Sequence, residues 1–352
     1  MKESELFASN SSDCNVVVDN TWPDRKTYAV TMASDQQFEN PFEIFENSFK
    51  IEDLMVFDDP TLQRILSSEG FNLTIEDLAQ SLYGAPQSLV ERIKYNLPME
   101  QQLSFKEALL HSISEDERRA VRKRVLDNLF WELTYWITPE LYDELTEGEK
   151  CHPDIFQHLA PDLRDKVILD AGAGAGRVTL ECIRRGANLV YAVDPSPPLL
   201  RVLKQKLVNQ SHATHVVLRR GSFEQLPLAN NSVDTSISCS AFSSEPGRGS
   251  EQGLAELWRV TKPGGKIVII WPGPRDYGWL AQHGFQYVGF PLQQKASVHF
   301  RSMESALRCT RLFYAGNKAA TDYILEHQRP EVPFSILGFD QPHDYCWLIV
   351  KK

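Results

Sequence analysis

Fourteen residues decide how this chain is read: Val167-Ile-Leu-Asp-Ala-Gly-Ala-Gly-Ala-Gly-Arg-Val-Thr-Leu180. An apolar, strand-type run leads into three glycines in G-x-G-x-G spacing, Gly172, Gly174 and Gly176, and a helical pattern follows. Glycine lets the backbone turn sharply and approach a ligand closely, and the helix start beyond it offers unpaired N–H groups. The stretch predicts a nucleotide-cofactor cradle at the carboxyl end of a first parallel strand. It is not the dinucleotide fingerprint G-x-G-x-x-G, because Arg177 stands where the last glycine of that pattern would fall. Asp170 precedes the loop, and a carboxylate there suits a cofactor with a positive amine rather than a pyrophosphate.

Working outward, Leu189–Val193, His215–Arg219, Thr235–Cys239 and Lys266–Ile270 are further short apolar runs of strand type. Helical patterns lie between them at Arg177–Arg185, Pro198–Val208 and Ser250–Val260. Strands alternating with helices at this spacing predict right-handed βαβ units and a doubly wound, Rossmann-like α/β sheet. The second strand ends at Asp194, 24 residues after Asp170. A carboxylate there can accept hydrogen bonds from both ribose hydroxyls, or it can cap the helix that starts near Pro197.

Four motifs stand in order: DAGAGAGR (170–177), VYAVDPS (190–196), GSFEQLPLANNSVD (221–234) and ELWRVTKPGGKIVII (256–270). Together they resemble the class I S-adenosylmethionine-dependent methyltransferases, in the methyltransferase-domain group that includes the quinone-biosynthesis C-methyltransferases. The resemblance covers roughly residues 130–352. It implies a seven-stranded sheet closed by an antiparallel last strand, S-adenosyl-L-methionine as cofactor, and methyl transfer to a small-molecule acceptor. It implies that Asp170 faces the methionine amino group, and that Gly172, Ala173 and Gly174 lie against methionine and ribose. Asp194 would hold the ribose hydroxyls, with Pro195 and Ser196 beside the adenine. Ser222 and Phe223 occupy the third-strand loop, where the family commonly has an Asp. Ser222 departs from that pattern, so either affinity is lower or Glu224 substitutes. Ser238, with Cys239 and Ser240, falls at the reaction-centre edge, and Lys262–Gly265 is implied to be a tight turn. Residues 285–290, 297–300 and 345–351 read as the remaining strands.

Methyl transfer from a sulfonium is an in-line displacement, catalysed largely by positioning and desolvation, so no fixed catalytic motif is expected. Glu245 and His152 are the candidates for a general base, each with a structural role as the rival reading. Tyr135, Trp136, Tyr142 and Trp271 are placed at the substrate pocket or lid. For the three residues before the sheet, plain core packing is the alternative. No metal site is expected, since the six cysteines show no C-x-x-C pair and His212 and His215 lack further ligands.

The remaining sequence sets the surroundings. The chain has 352 residues, 42% of them hydrophobic, and a net charge of −10. Residues 1–60 hold thirteen acidic and four basic side chains, so the body is nearly neutral and shows no electrostatic footprint for nucleic acid. Residues 1–40 read as an acidic, disordered tail, 41–150 as a helical domain and 151–352 as the cofactor domain. Phe42, Phe45, Phe49, Leu54 and Phe57 recur at helical spacing, and one helix is expected from about Glu115 to Trp136. Residues 77–93 have helix-turn-helix-like spacing, with Arg118, Arg119, Arg122, Lys123 and Arg124 nearby. That segment supports an alternative reading as a cofactor-sensing DNA-binding regulator, and a hairpin for dimerisation or for the acceptor site is the preferred one. A nicotinamide dehydrogenase is a second rival, which the glycine spacing and the KPGG turn disfavour. No apolar run approaches membrane-spanning length and no secretory signal is read, so the cytoplasm is expected, with no membrane or nucleic-acid partner and a homodimer left open.

Overall fold

The computed structural model describes residues 47–67, 73–208, 215–292, 296–314 and 316–352. The expected tail, Phe42, Phe45 and His212 lie outside the described residues.

Seven strands form the main sheet. In chain order they are β1 (Val167–Ala171), β2 (Leu189–Asp194), β3 (Val216–Arg220), β4 (Val233–Cys239), β5 (Thr261–Ile270), β6 (Gln286–Gly289) and, after two strands elsewhere, β9 (Asp344–Ile349). Their spatial order is β3-β2-β1-β4-β5-β9-β6. β1 to β5 run parallel, and β9 lies antiparallel between β5 and β6. Side chains alternate across the sheet. Ile168, Val190, Ile237 and Val268 enter one core, while Leu169, Val193, Ile267 and Ile269 enter another. Helices cover both faces, so, apart from Asp170 in β1 and Asp234 in β4, the positions of these two central strands are apolar or small. Each such side chain, fully buried, contributes about 1.5–3 kcal/mol. The strand order reverses between β1 and β4, which opens a crevice at the carboxyl ends, where the glycine loop leaves β1.

Lys262–Gly265, implied to be a tight turn, is a bulge within β5: Thr261 and Lys266 pair with Val233 and Thr235, and Gly264 takes φ +77. Within this start of β5, Gly264 N–H donates to Val350 O at 2.8 Å and Val350 N–H donates to Gly265 O at 2.9 Å. The strand expected at 297–300 does not join the main sheet. β7 (Ser297–His299) pairs with β8 (Glu331–Pro333) in a separate two-stranded ribbon.

The amino-terminal helices start where their caps predict. Thr74 Oγ1 accepts from Asp77 N–H, and Ser114 and Glu117 form a reciprocal capping box. The expected long helix is two, Glu115–Asn128 and Phe130–Ile137, interrupted by the buried Leu129 with ψ near zero. The aromatic run ending at Phe57 is in neither helix nor strand over 47–50 and then makes one 3-10 helix, Ile51–Val56. Four basic residues around the helix-turn-helix-like pair Ile75–Ser81 and Gln87–Asn96 are paired within the chain. Arg92 bonds Asp59 and the carbonyls of Met55 and Phe57, while Arg122 bonds the carbonyls of Ser81 and Tyr83. Arg124 pairs with Asp77, and Arg118 with Glu115. Arg92 and Arg122, through backbone carbonyls of other segments, tie the helical core together.

A further core joins the segment before the sheet to the carboxy-terminal insert. Phe130, Leu141 and Leu145 pack with Val298, Ala306 and Phe313 of the carboxy-terminal insert. Among the described residues, no helix is long and apolar enough to cross a membrane.

Candidate active site

After β1 the chain turns through Gly172, Gly174 and Gly176, all at positive φ. A Cβ at Gly172 would lie 2.5 Å from Ala241 Cβ, and one at Gly176 would lie 2.3 Å from Leu203 Cδ1. Both the left-handed conformation and the close packing require glycine. Gly172 and Ala173 N–H both donate to Val193 O, at 2.9 and 3.0 Å. Gly174 N–H donates to Asp194 Oδ2 at 2.8 Å, and Asp194 Oδ1 accepts Ser196 N–H at 2.8 Å. The loop is thereby laced to the end of β2.

Two buried carboxylates flank the loop. Burial pushes the Asp194 carboxyl up to about 6, against the two amide hydrogen bonds. Asp170 accepts the Thr179 hydroxyl at 2.5 Å, and burial pushes it up to about 7. Among the described residues, neither has a cation in hydrogen-bond contact. Desolvated carboxylates at a glycine loop disfavour a phosphate and favour a cationic ligand.

A cavity of about 400 Å³ lies over the loop and Asp170, with Cys239 and Ser240 at the end of β4. Its far wall is aromatic: Trp131, Tyr135 and Tyr142 from the segment before the sheet, Trp271 after β5, and Phe313, Tyr314 and Phe339 from the insert. An adjoining cavity of about 150 Å³ shares Tyr135, Tyr142 and Gly174, and is bordered by Asp194, Pro195, Ser222, Phe223 and Glu224. Tyr135 and Tyr142 meet edge to face at 4.7 Å. Ser240 and Trp271, the residues just after β4 and β5, sit at φ +54 and +51. Two of the six described non-glycine residues at positive φ thus sit on one cavity lip.

Other candidates fall elsewhere. Trp136 packs edge-on against Phe57, 5.7 Å away in the helical core, and lines neither cavity. Ser238 is fully buried and its Oγ accepts Phe242 N–H at 3.2 Å, so the cavity edge belongs to Cys239 and Ser240. Strand alternation explains the offset of one residue. Ser196 is buried beneath Asp194 and caps the helix Pro197–Val208 through Leu199 N–H. Glu224 accepts Gly249 N–H at 3.0 Å, which gives its carboxylate a structural task. His152 caps the helix Pro153–His158, stacks on Phe290 at 5.5 Å, and is lowered in pKa by burial. Glu245 is exposed, 3.6 Å from Arg275. Neither His152 nor Glu245 lines either of these two cavities, so neither is placed as a base.

A buried pair escaped the sequence reading. Arg177 and Glu149 both line the larger cavity, 3.5 Å apart, and the Tyr314 hydroxyl donates to Glu149. Arg177 was visible only as a departure from a glycine pattern. Nothing in its neighbourhood in the sequence points to residues 149 and 314.

A methyltransferase-domain family profile matches residues 169–269. An uncharacterised methyltransferase of Anoxybacillus flavithermus is 33% identical over 164 residues, which cover 45% of this chain and 72% of that protein. The chain belongs to the class I S-adenosylmethionine-dependent methyltransferases. An uncharacterised methyltransferase of Mycobacterium tuberculosis is 35% identical over 135 residues, 38% of this chain and 50% of that one. The chain thus spans about half the length of the mycobacterial relatives it matches. The solved structure of an Anabaena variabilis methyltransferase is 20% identical, with 57% of this chain and 98% of that chain covered and a TM-score of 0.38. The profile match runs from within β1 to within β5. In this family member the glycine loop and both carboxylates therefore lie in the shared part. Almost all of the aromatic wall, from Trp131 to Tyr142 and from Trp271 to Phe339, lies outside it.

Proposed function

We propose that this class I family member transfers a methyl group from S-adenosylmethionine to a small-molecule acceptor held against the aromatic wall of the larger cavity. One observation carries the reading. The glycine loop and two buried carboxylates, with no cation hydrogen-bonded to them among the described residues, open onto adjoining cavities roofed by the same tyrosines.

In this reading Asp194, fixed by the Gly174 and Ser196 amides, takes the ribose hydroxyls with its outward lone pairs. Pro195, Ser222 and Phe223 border the adenine in the smaller cavity. Asp170 and the loop at Gly172, Ala173 and Gly174 take the amino-acid end. When bound, the cofactor supplies an electrophilic methyl group on a sulfonium. The protein's part is to orient the two partners and exclude water, which can lower the barrier by about 7–11 kcal/mol in well-oriented cases. Burial pushes Tyr142 up to about 12 and Tyr135 well above the ordinary tyrosine range, so both hydroxyls stay protonated. Their rings can shield a cation at the cavity mouth. Ser196 and Ser238 act indirectly, through Asp194 and Phe242. Glu149 and Asp170 are the carboxylates on the wall of the larger cavity, and Glu149 is paired with Arg177, so the reading assigns no general base. The volume, within the usual range for small-molecule sites, supports a small acceptor.

Calorimetry with S-adenosylhomocysteine and with NAD, followed by labelled-methyl transfer onto small aromatic acceptors and onto RNA and protein, tests this. The expected result is binding of S-adenosylhomocysteine only, with label on the small acceptors. Tighter binding of NAD, or label on macromolecules alone, overturns the reading.

A further inference from the structure

Two of the five described cysteines lie where methyl transfer has no use for a thiol. Cys239, the last residue of β4, lines both cavities, and its Sγ is 3.9 Å from Sγ of Cys151. Cys151 sits in the irregular stretch between the helices Pro139–Gly148 and Pro153–His158. It faces a separate cleft of about 670 Å³ on the other side of the same wall. Cys182, Cys309 and Cys346, by contrast, are wholly buried. Arg177 lines both the cavity and the cleft. The Cys151 thiol and, after it, the Arg177 guanidinium hold Cys239 below the ordinary thiol range, while the same pairing holds Cys151 above it. A thiolate-prone cysteine open to small molecules, with a second thiol at hand, is the arrangement that reversible oxidation needs.

We infer that Cys151 and Cys239 are a modification site, at which a hydroperoxide joins them in a reversible disulfide that ties the segment before the sheet to the end of β4. The Cys239 thiolate attacks one peroxide oxygen. An S–O bond forms, the O–O bond breaks, and the departing oxygen leaves with a proton as water or an alcohol. The Cys151 sulfur then attacks the Cys239 sulfenic acid. The S–S bond forms, the S–O bond breaks, and the Cys151 proton leaves with that oxygen as water. Two thiols lose two electrons, and the hydroperoxide gains them. The sulfurs must close by about 1.9 Å to reach a disulfide length of about 2.05 Å. Cys151 lies in neither helix nor strand, so its stretch can supply the movement. Glu149, two residues away and paired with Arg177 on the cavity wall, moves with it.

The test exposes the full chain, reduced and freed of reductant, to hydrogen peroxide, then alkylates and digests it for peptide mass spectrometry. The expected result is a linked Cys151–Cys239 peptide that dithiothreitol abolishes. In Cys151→Ser that peptide is absent and Cys239 advances to the sulfinic acid. The wild-type arm needs no substitution, so a poorly folding variant does not hide the answer. Alkylation of both thiols without a linked peptide overturns the inference, as do links to Cys182, Cys309 or Cys346 in equal yield. The readout is a covalent bond independent of methyl transfer, so it stands or falls separately from the proposed activity.

Discussion

Lys206 Nζ lies 2.5 Å from Asp143 Oδ1 and 3.2 Å from the carbonyl oxygen of Ala175. One ammonium thus joins the helix that carries Tyr142 to the glycine loop. Asp143 is buried, also receives Arg301 at 2.9 Å, and burial raises its carboxyl pKa. Lys206→Met leaves that carboxylate with Arg301 as its remaining cation and removes the 3.0 Å partner of Glu147, and losing hydrogen bonds to charged groups costs about 1.5–3 kcal/mol. Urea unfolding should show a deficit of that order at pH 8. Lys206 lowers the Asp143 carboxyl against the effect of burial, so its removal fixes the sign with pH. As pH falls, Asp143 protonates first in the variant and the deficit shrinks. A deficit that grows toward acid would contradict this.

Ligand affinity should depend on pH through Asp170 and Asp194. Burial places them at about 7 and about 6 in the unliganded protein, so both are largely protonated at pH 5. A ligand bearing an ammonium and ribose hydroxyls binds the ionised forms. Affinity for S-adenosylhomocysteine should rise about ten-fold or more from pH 5 to pH 8 and then level off. In Asp170→Asn the curve should flatten and the plateau fall. Calorimetry across that range decides it.

Gly172→Ala places a methyl 2.5 Å from Ala241 Cβ at φ +73. The loop must shift, at a cost of about 1–3 kcal/mol for the strained backbone. The expected outcome is a modest drop in melting temperature with a much larger loss of cofactor affinity, because the loop is the cradle. Equal losses in both would remove the loop from the site.

Tyr135 and Trp136 should separate cleanly. Tyr135→Ala opens the cavity wall and is expected to lower turnover with little loss of stability. Trp136→Ala leaves a void against Phe57 and is expected to cost about 3 kcal/mol of stability while sparing ligand affinity. Turnover and chemical denaturation on the two variants check the assignment, and a reversal would put Trp136 at the pocket.

Asp58 and Arg220 make a two-pronged ion pair, with distances of 2.6 and 2.9 Å, between the helical segment and the end of β3. The Arg220 guanidinium holds Asp58 down to about 2. A depressed carboxyl stabilises above its unfolded value and loses that contribution as pH falls toward 2. Solvent screening keeps the term under about 1 kcal/mol. Wild type and Arg220→Met should therefore differ slightly in unfolding midpoint at pH 6 and converge near pH 2.

Much of the fold follows from local pattern. The run from Val167 to Leu180, the apolar strands after it and the caps at Thr74 and Ser114 depend on residues within a few positions of one another, so they can be read in the sequence. Asp170, Asp194 and the three glycines belong to the same class, because strand ends and tight turns impose their own residue types. Tertiary packing decided the rest. Trp136 and Tyr135 are neighbours in one helix, yet one faces Phe57 and the other Tyr142. Ser238 and Cys239 are neighbours in one strand, yet only Cys239 reaches the cavity. Arg177 meets Glu149, 28 residues before it, and Cys239 meets Cys151, 88 residues before it. Periodicity shows which side chains share a face of an element. Which face looks onto the cavity depends on how elements distant in sequence pack, and that requires the three-dimensional structure.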